Sequence, residues 1–560
     1  MVRGVARTAA ALAVAAALVA GGCGDSPPDH VAGLACVPRG PDVPWFRDAT
    51  RESGVDFEFV AVDFRGGPIA VADTDGDGRL DVLAGSRGGG LGHFRNMDGW
   101  SFIDDTAAAG LEVAGPVHFI APVDLDNDGD RDLVVASDRL LLFENRGGGR
   151  FGAPVDLGDG SRTEHVLPVD LDADGLVELY VSNRDRDARE PSRNRLLHNR
   201  GGLVLDDLPG AGGGDSDGLT WTTSAIDFDG DGDLDLHVAN DTLVADYGQP
   251  RADDVDLPPD AFYRNDSAGG EIRLTDIAAE LGLDGPRSSM DGLVADVDGD
   301  RRLDLYVTDY GRKKLFLGTD TGFEERGEEL GLAGTTRSDG ICALTINQER
   351  RSCLLLSWAA QLADFDGDGN DDMIVVNGVS VVDGQPAPAL VLRGPPPFEE
   401  VDAGLDCFEG HGAIAADLDD DGDSDLVAST REGPLRLFEN VAPAPATRTT
   451  LHLSLQGRSS NRDGLGAVVE VSTARGRRLV RAVGAGGVAQ SAPPPVLDIS
   501  LGDDAVEAIE VRWPSGARQQ LPAPDQTRVI VVESSTDRRS GSAMPTPERW
   551  VAPRSGILAR

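Results

Sequence analysis

A nine-residue pattern, Asp-x-Asp-x-Asp-Gly-x-x-Asp, recurs seven times along the chain. The copies begin at Asp73, Asp124, Asp170, Asp227, Asp296, Asp364 and Asp417, spaced 51, 46, 57, 69, 68 and 53 residues apart. A repeat of this period means one supersecondary unit copied and stacked. Two copies depart from the pattern: the third ends in Glu178, and the fifth carries Arg301 where the others have Gly. Short apolar runs flank each copy, as in Ile69-Ala70-Val71-Ala72 before the first and Val82-Leu83-Ala84 after it. A third run often ends in an aromatic and Asn, as in Leu142-Phe143-Glu144-Asn145, Phe262-Tyr263-Arg264-Asn265 and Leu437-Phe438-Glu439-Asn440. A fourth reads Phe102-Ile103-Asp104 or a relative of it.

Four short strands per repeat make a propeller blade. The expected fold class is all-β, a seven-bladed β-propeller with calcium loops over residues 45–443, followed by a small β-sandwich-like domain over 447–533. The seventh copy runs into a Val-Ala-Pro-Ala-Pro-Ala linker and lacks a fourth strand. Trp45-Phe46-Arg47-Asp48 is expected to supply it, closing the ring and removing a free sheet edge. Seventy-one glycines and only 5% aromatics suit many short strands and tight turns.

The acid spacing matches the first nine positions of an EF-hand loop, in which side-chain oxygens at 1, 3 and 5 and a carbonyl at 7 surround a hard cation. Gly at position 6 permits a left-handed turn. A carboxylate at position 9 completes the shell. The expected ligands are Asp73, Asp75, Asp77 and Asp81; Asp124, Asp126, Asp128 and Asp132; Asp170, Asp172, Asp174 and Glu178; and Asp227, Asp229, Asp231 and Asp235. The later copies offer Asp296, Asp298, Asp300 and Asp304; Asp364, Asp366, Asp368 and Asp372; and Asp417, Asp419, Asp421 and Asp425. Calcium fits better than magnesium, which demands small octahedral geometry and holds its waters. Up to seven structural Ca²⁺ ions are expected, with the Arg301 loop the weakest. They would reduce the net charge of -45 to -31. So acidic a surface repels phosphate backbones and anionic lipids, which argues against nucleic-acid binding.

The N-terminus reads as an export signal. Arg3 and Arg7 precede an apolar stretch of 12 residues, 9–20, too short for a stable span. Ala20-Gly21-Gly22-Cys23 resembles a bacterial lipobox, which implies a signal peptide over 1–22, lipidation of Cys23 and a tether over 23–44. The expected localisation is extracytoplasmic, lipid-anchored to a bacterial membrane, or secreted if Cys23 is unmodified. Four cysteines remain, Cys36, Cys342, Cys353 and Cys407, an even number with three possible pairings. Cys342 and Cys353 lie close in sequence and are expected to pair. Cys36 with Cys407 would then staple the ring.

On these residues the chain resembles FG-GAP/VCBS repeats, the calcium-loop blades of integrin-α-like propellers. Ser460-Asn461-Arg462-Asp463-Gly464-Leu465-Gly466-Ala467 and Val511-Arg512-Trp513-Pro514-Ser515-Gly516 resemble the two signatures of the ASPIC/UnbV domain. Propeller plus this domain is the arrangement of the cartilage acidic protein family, and Asn240-Asp241-Thr242 also resembles it. Gly487-Val488-Ala489-Gln490-Ser491 departs from the family's Gly-Phe-x-Ser-Gln, which puts a site at that turn in doubt. The resemblance implies a calcium-dependent extracellular binding or adhesion protein, without an established reaction. Strands are expected near 451–455, 467–471, 478–483, 496–501, 508–513 and 528–532, with a disordered tail over 534–560.

Six residues before each first Asp stand Gly67, His118, Glu164, Trp221, Met290, Trp358 and His411, with His165 one step on. These positions are expected to ring the channel mouth opposite the acidic loops. His118, Glu164, Trp221, Met290, Trp358 and His411 are the candidate ligand-binding residues, the Trp faces suiting a sugar. No catalytic residue is assigned, because no nucleophile elbow, phosphate loop or His-Glu-x-x-His motif is present. The leading expectation is a monomeric, non-catalytic binding protein for a glycan or protein partner. A carbohydrate-active lyase or hydrolase on the propeller, and a purely structural envelope lipoprotein, are the alternatives.

Overall fold

The computed structural model describes residues 44–62, 65–184, 193–242, 258–285, 287–309, 313–333, 355–380, 389–405, 410–445, 448–484, 486 and 491–534. The signal segment, Cys23, the tether up to residue 43, all four remaining cysteines, residues 487–490 and the tail from 535 lie outside the described residues.

Seven four-stranded antiparallel sheets follow one another along the chain, the first also receiving a short fifth strand. Their innermost strands are Ile69–Ala72, Phe119–Val123, Thr163–Val169, Thr220–Ile226, Ser289–Ala295, Leu355–Ala363 and Gly412–Ala416. Each touches the next, and the last touches the first. The result is a closed β-propeller. Its innermost and second strands are buried on both faces, which is why they read as continuous apolar runs and do not alternate.

The ring closes as expected. Phe46–Asp48 pairs with Arg436–Asn440 as the outer strand of the seventh sheet. Phe46 meets Phe365 edge-on at 5.3 Å, and Arg47 pairs with Glu439. Glu58–Phe59 adds a second clasp onto Gly433–Pro434.

The acids at position 9 brace every blade. Each is buried and accepts two backbone N–H groups, one from position 2 of its own loop and one from the third strand. Asp132, for example, accepts from Leu125 at 3.2 Å and Asn145 at 2.8 Å. Asp425 accepts from Leu418 at 3.0 Å and Asn440 at 2.9 Å. The Asn that ends the third strand then latches neighbouring blades. Its amide donates to the position-2 carbonyl of the preceding loop: Asn96 to Leu418, Asn145 to Thr74, Asn199 to Leu125, Asn265 to Leu171 and Asn440 to Phe365, all at 2.8–2.9 Å. The fifth and sixth blades carry Gly318 and Gly394 there and keep only the backbone bond, at 2.8 and 3.0 Å.

Residues from Thr449 to Val532 form two further sheets, one of three strands and one of four, as a sandwich. This domain docks directly onto the propeller. Its core residues Leu465, Val469 and Trp513 share one apolar cluster with Val123, Leu125 and Val177 of the second and third blades. Two of its strands escaped the sequence reading. Arg518–Pro522 is a polar edge strand with a single buried residue, Leu521. Ser491–Ala492 is only two residues long and pairs parallel with Ile69 and Ala70 inside the channel. Nothing local marks such a strand, because its partner lies some 420 residues away in sequence.

Removing a latch should be measurable. Asn145→Ala leaves the buried carbonyls of Thr74 and Arg131 without their side-chain donor. Urea unfolding is expected to show a loss of about 2–4 kcal/mol with an unchanged denaturant slope. A loss under about 0.5 kcal/mol would show that the latch is incidental.

Candidate functional site

The seven acidic loops share one backbone. Position 6 is left-handed throughout, from φ 101° at Gly129 to φ 79° at Arg301. Arg301 therefore adopts the conformation that its neighbours reach without a side chain, at a cost of about 1 kcal/mol. Position 4 is left-handed as well, including the non-glycine residues Asn127, Ala173 and Asp420. That second turn residue was not singled out from the sequence, because Gly, Asn, Ala and Asp occupy it interchangeably. The fold turns each loop's own amides onto its acids. Position 1 accepts the position-6 N–H, as in Gly129 to Asp124 at 2.8 Å and Gly369 to Asp364 at 2.7 Å. Position 5 accepts from position 7, as in Arg79 to Asp77 at 2.9 Å.

These bonds do not use every oxygen. Asp124, Asp170 and Asp296 are buried, and each holds one carboxylate oxygen without a hydrogen-bond partner. The Oδ1 of Asp172 is in the same position. Carboxylate oxygens from positions 1, 3 and 5 lie within 4.8 Å of one another in the second, third and fourth loops. Orphaned buried acceptors converging at that distance suit a hard divalent cation. The residues thus fit the calcium expected from the spacing. In the third loop Asp172 and Glu178 gather with His198, whose Nε2 lies 3.4 Å from Asp172. His198 was missed from the sequence because it arrives from the third strand, 26 residues after the loop's third position, Asp172.

Burial pushes the acids upward in pKa. Asp124, Asp132 and Asp170 rise to about 7, Asp235 and Asp372 to about 8, and Glu178 to about 9. Desolvation is the main cause in each, and like charges in the same loop add to it.

The second domain sits on this acidic face. Asp463 pairs with Arg131 at 2.7 Å and reaches the backbone of Asp124. The Arg462 N–H donates to Asn127 at 2.8 Å. Arg481 grips Asp371 with both oxygens at 2.7 Å, Arg448 pairs with Asp423 at 2.7 Å, and Arg528 pairs with Asp420. Thus the loops of the second, sixth and seventh blades are covered by arginine-bearing surface. The two C-terminal motifs read from the sequence meet at a third residue, Glu533, which the sequence reading left out. Its carboxylate accepts N–H bonds from Arg458, Ser459 and Ser460 at 2.7–2.9 Å and the Ser515 hydroxyl at 2.6 Å. Burial opposes the charge, but these donors hold Glu533 below the usual carboxylate range. The motifs therefore build the docking loop. A cavity of about 250 Å³ remains between domain and channel, lined by His165, Gln361 and Pro493 among others. His165 lies against Phe119 with ring centroids 4.4 Å apart and planes tilted by 58°, and burial lowers its pKa to about 3.

At the opposite end of the channel the structure does gather the six-before positions. Trp221 meets Trp358 edge-on at 5.4 Å, and Trp358 lies 4.8 Å from His411. Met290 and Leu356 complete an apolar plug with the two tryptophans. Gly67 lies against Phe59 and has no room for a side chain. His118 Nδ1 accepts from the Arg87 guanidinium at 2.8 Å, and burial lowers the His118 pKa to about 3. Glu164 sits among Arg65, Arg87 and Arg162. The expectation that Trp221 and Trp358 present open stacking faces is corrected. They are 4% and 0% exposed. The rings fill the channel against each other, and the Arg184 guanidinium covers Trp221 at 3.7 Å.

Comparison with known proteins agrees with this architecture. Residues 73–135 and 124–181 match the family model described as FG-GAP-like repeat, and residues 457–539 match the one described as ASPIC and UnbV. Among curated proteins no sequence matches significantly. Several solved structures are similar at low identity. One concerns recognition of non-reducing terminal N-acetylglucosamine by an Agrocybe aegerita lectin: 17% identity over 60% of this chain and 80% of that one, TM-score 0.35. Another is the Dos1 propeller, 9% identical over 65% and 76%, TM-score 0.35. A third is a mutant of AofleA from Arthrobotrys oligospora, 10% identical over 62% and 89%, TM-score 0.32.

The raised acids carry a sign for pH. In metal-free protein the folded state binds protons that the unfolded chain has released above about pH 4. That stabilisation is complete below the ordinary carboxylate range and is lost as pH rises through about 7 to 9. Calorimetry in excess chelator should therefore give a lower melting temperature at pH 8.5 than at pH 6. An equal or higher value at pH 8.5 would contradict the burial of these acids.

Proposed function

We propose that this propeller, with its FG-GAP-like repeats and ASPIC/UnbV domain, is an exported, calcium-stabilised, non-catalytic binding or adhesion protein. A lipid on Cys23 anchors it to a bacterial membrane, and it receives a glycan or protein partner. The observation that supports calcium best is the recurring set of buried, unpartnered carboxylate oxygens at Asp124, Asp170 and Asp296. An empty loop leaves clustered acids without counter-charge, so an ion bound to the folded state adds stability by mass action. The chemistry a bound Ca²⁺ supplies is charge neutralisation and loop ordering, with no bond made or broken.

Two features support a non-catalytic reading. His118 and His165 are held neutral by burial, away from the range useful for proton transfer. The Ser289–Asp260–His237 group has its carboxylate in the middle. Asp260 Oδ2 accepts the Ser289 hydroxyl at 2.7 Å and lies 3.5 Å from His237 Nε2, so hydroxyl and imidazole both address the carboxylate and not each other. With the acidic face occupied by the second domain, the face opposite it is the one left for a partner.

Calorimetry is expected to show a large fall in melting temperature when excess chelator is added at pH 7.5; an unchanged curve would refute structural calcium. Asp229→Ala should lower calcium-dependent stability more than Asp298→Ala, whose loop already carries left-handed Arg301. Equal losses would refute that ranking. A glycan array read with and without calcium tests partner binding, and release of a cleaved product would overturn the non-catalytic reading.

A further inference from the structure

Between the first three blades, at the end of the channel away from the acidic loops, lies a cavity of about 340 Å³. Arg65, Arg87, Arg162, His118 and Ser161 are among its lining residues, and Asp138 is the one acid among the described residues of the wall. The size suits a single sugar ring or a small organic acid. Its wall is unlike the rest of the molecule. In a chain of net charge -45, three guanidiniums converge on one small space. Arg65 and Arg87 are buried, and Arg162 is 40% exposed toward the opening.

The three converge on Glu164. Arg65 and Arg162 address its Oε1, the latter at 2.9 Å, and Arg87 addresses Oε2 at 2.8 Å. Arg87 is itself fixed by Nε on the Gly66 carbonyl at 2.8 Å and by the His118 ring at 2.8 Å. The array is therefore preorganised, and the geometry it already accepts is that of a carboxylate, the planar partner a guanidinium fork matches best. His118 stays neutral beside it, so it adds a ring nitrogen without charge.

We propose that this cavity is a binding site for a ligand ending in a carboxylate, such as an acidic saccharide. The ligand's oxygens take Arg162 and the neighbouring wall, next to the internal carboxylate of Glu164. The proposal rests on reading this face as the receiving one, and it names the chemistry received. It moves the contact residues from the packed tryptophans to the arginine wall one step around the ring.

Titration calorimetry of the calcium-loaded full chain at low salt tests it, with D-glucuronate, sulfate and D-glucose as separate probes. Glucuronate should bind once per chain and glucose should not. Binding should weaken as salt is raised, because the attraction is ionic. Arg162→Gln should weaken glucuronate binding about tenfold or more, the scale of one charge-assisted bond. Arg146→Gln, an exposed arginine on the outer part of the second blade, should leave it unchanged. Glu164→Gln, if it folds, should melt lower than wild type and regain stability on addition of glucuronate. A purely structural Glu164 would show the loss without the rescue. Absence of heat with glucuronate in the wild type, or equal binding in Arg162→Gln, would overturn the proposal. Sulfate binding with glucuronate inert would overturn the carboxylate assignment. Any of these with chelator-sensitive melting intact would leave the calcium reading standing.

Discussion

Burying a carboxylate that is not fully paired is the constraint on which this molecule is built. Each loop holds four acids in nine residues; the fold buries the acid at position 9 in all seven loops and the acid at position 1 in five of them. The acid at position 9 is resolved by backbone: two N–H groups, one from the loop and one from the third strand, donate to it at every blade. This bond pair ties the start of the second strand to the end of the third. It is therefore a structural member of the sheet as much as a candidate ligand. The first acid is not resolved in that way. At Asp124, Asp170 and Asp296 one buried oxygen keeps no hydrogen-bond partner, so the residues that brace the strands also carry the cluster whose chemistry fits a cation.

The same loops organise the larger assembly. In five of the seven loops the position-2 carbonyl receives the asparagine latch of the next blade, so the loop holds two sheets together. Their outward acids receive Arg448, Arg481 and Arg528, so the acidic face becomes the seat of the second domain. Ser491–Ala492 then enters the channel from that side and pairs with the first blade. One end of the propeller is thereby occupied by its own chain, while the other end concentrates arginine, the tryptophan plug and Glu164.

Much of this was legible in the primary structure. Seven copies of one acid spacing fixed the number of repeats, and the orphan Trp45-Phe46-Arg47-Asp48 pointed to the closing strand, because a repeat one strand short at its end requires one strand extra at its beginning. The left-handed Arg301 could be named, since position 6 has one conformation whatever residue fills it. The six-before ring could be named too, because blade symmetry carries equivalent positions to equivalent places.

What symmetry could not state was what those unlike side chains do on meeting. Trp221 and Trp358 read as open faces and are in fact buried against each other. His198, Glu533, Arg65 and Arg87 carry no local signal, since each acts on a partner contributed by another strand or blade. The sequence by itself determined the repeat, the ring and the acid loops, because these depend on spacings of a few residues that a single loop or strand enforces. Only the tertiary structure decided which end of the channel is covered, which rings are packed and which charges converge. Those outcomes depend on contacts between residues hundreds of positions apart, and on the desolvation that follows when they close.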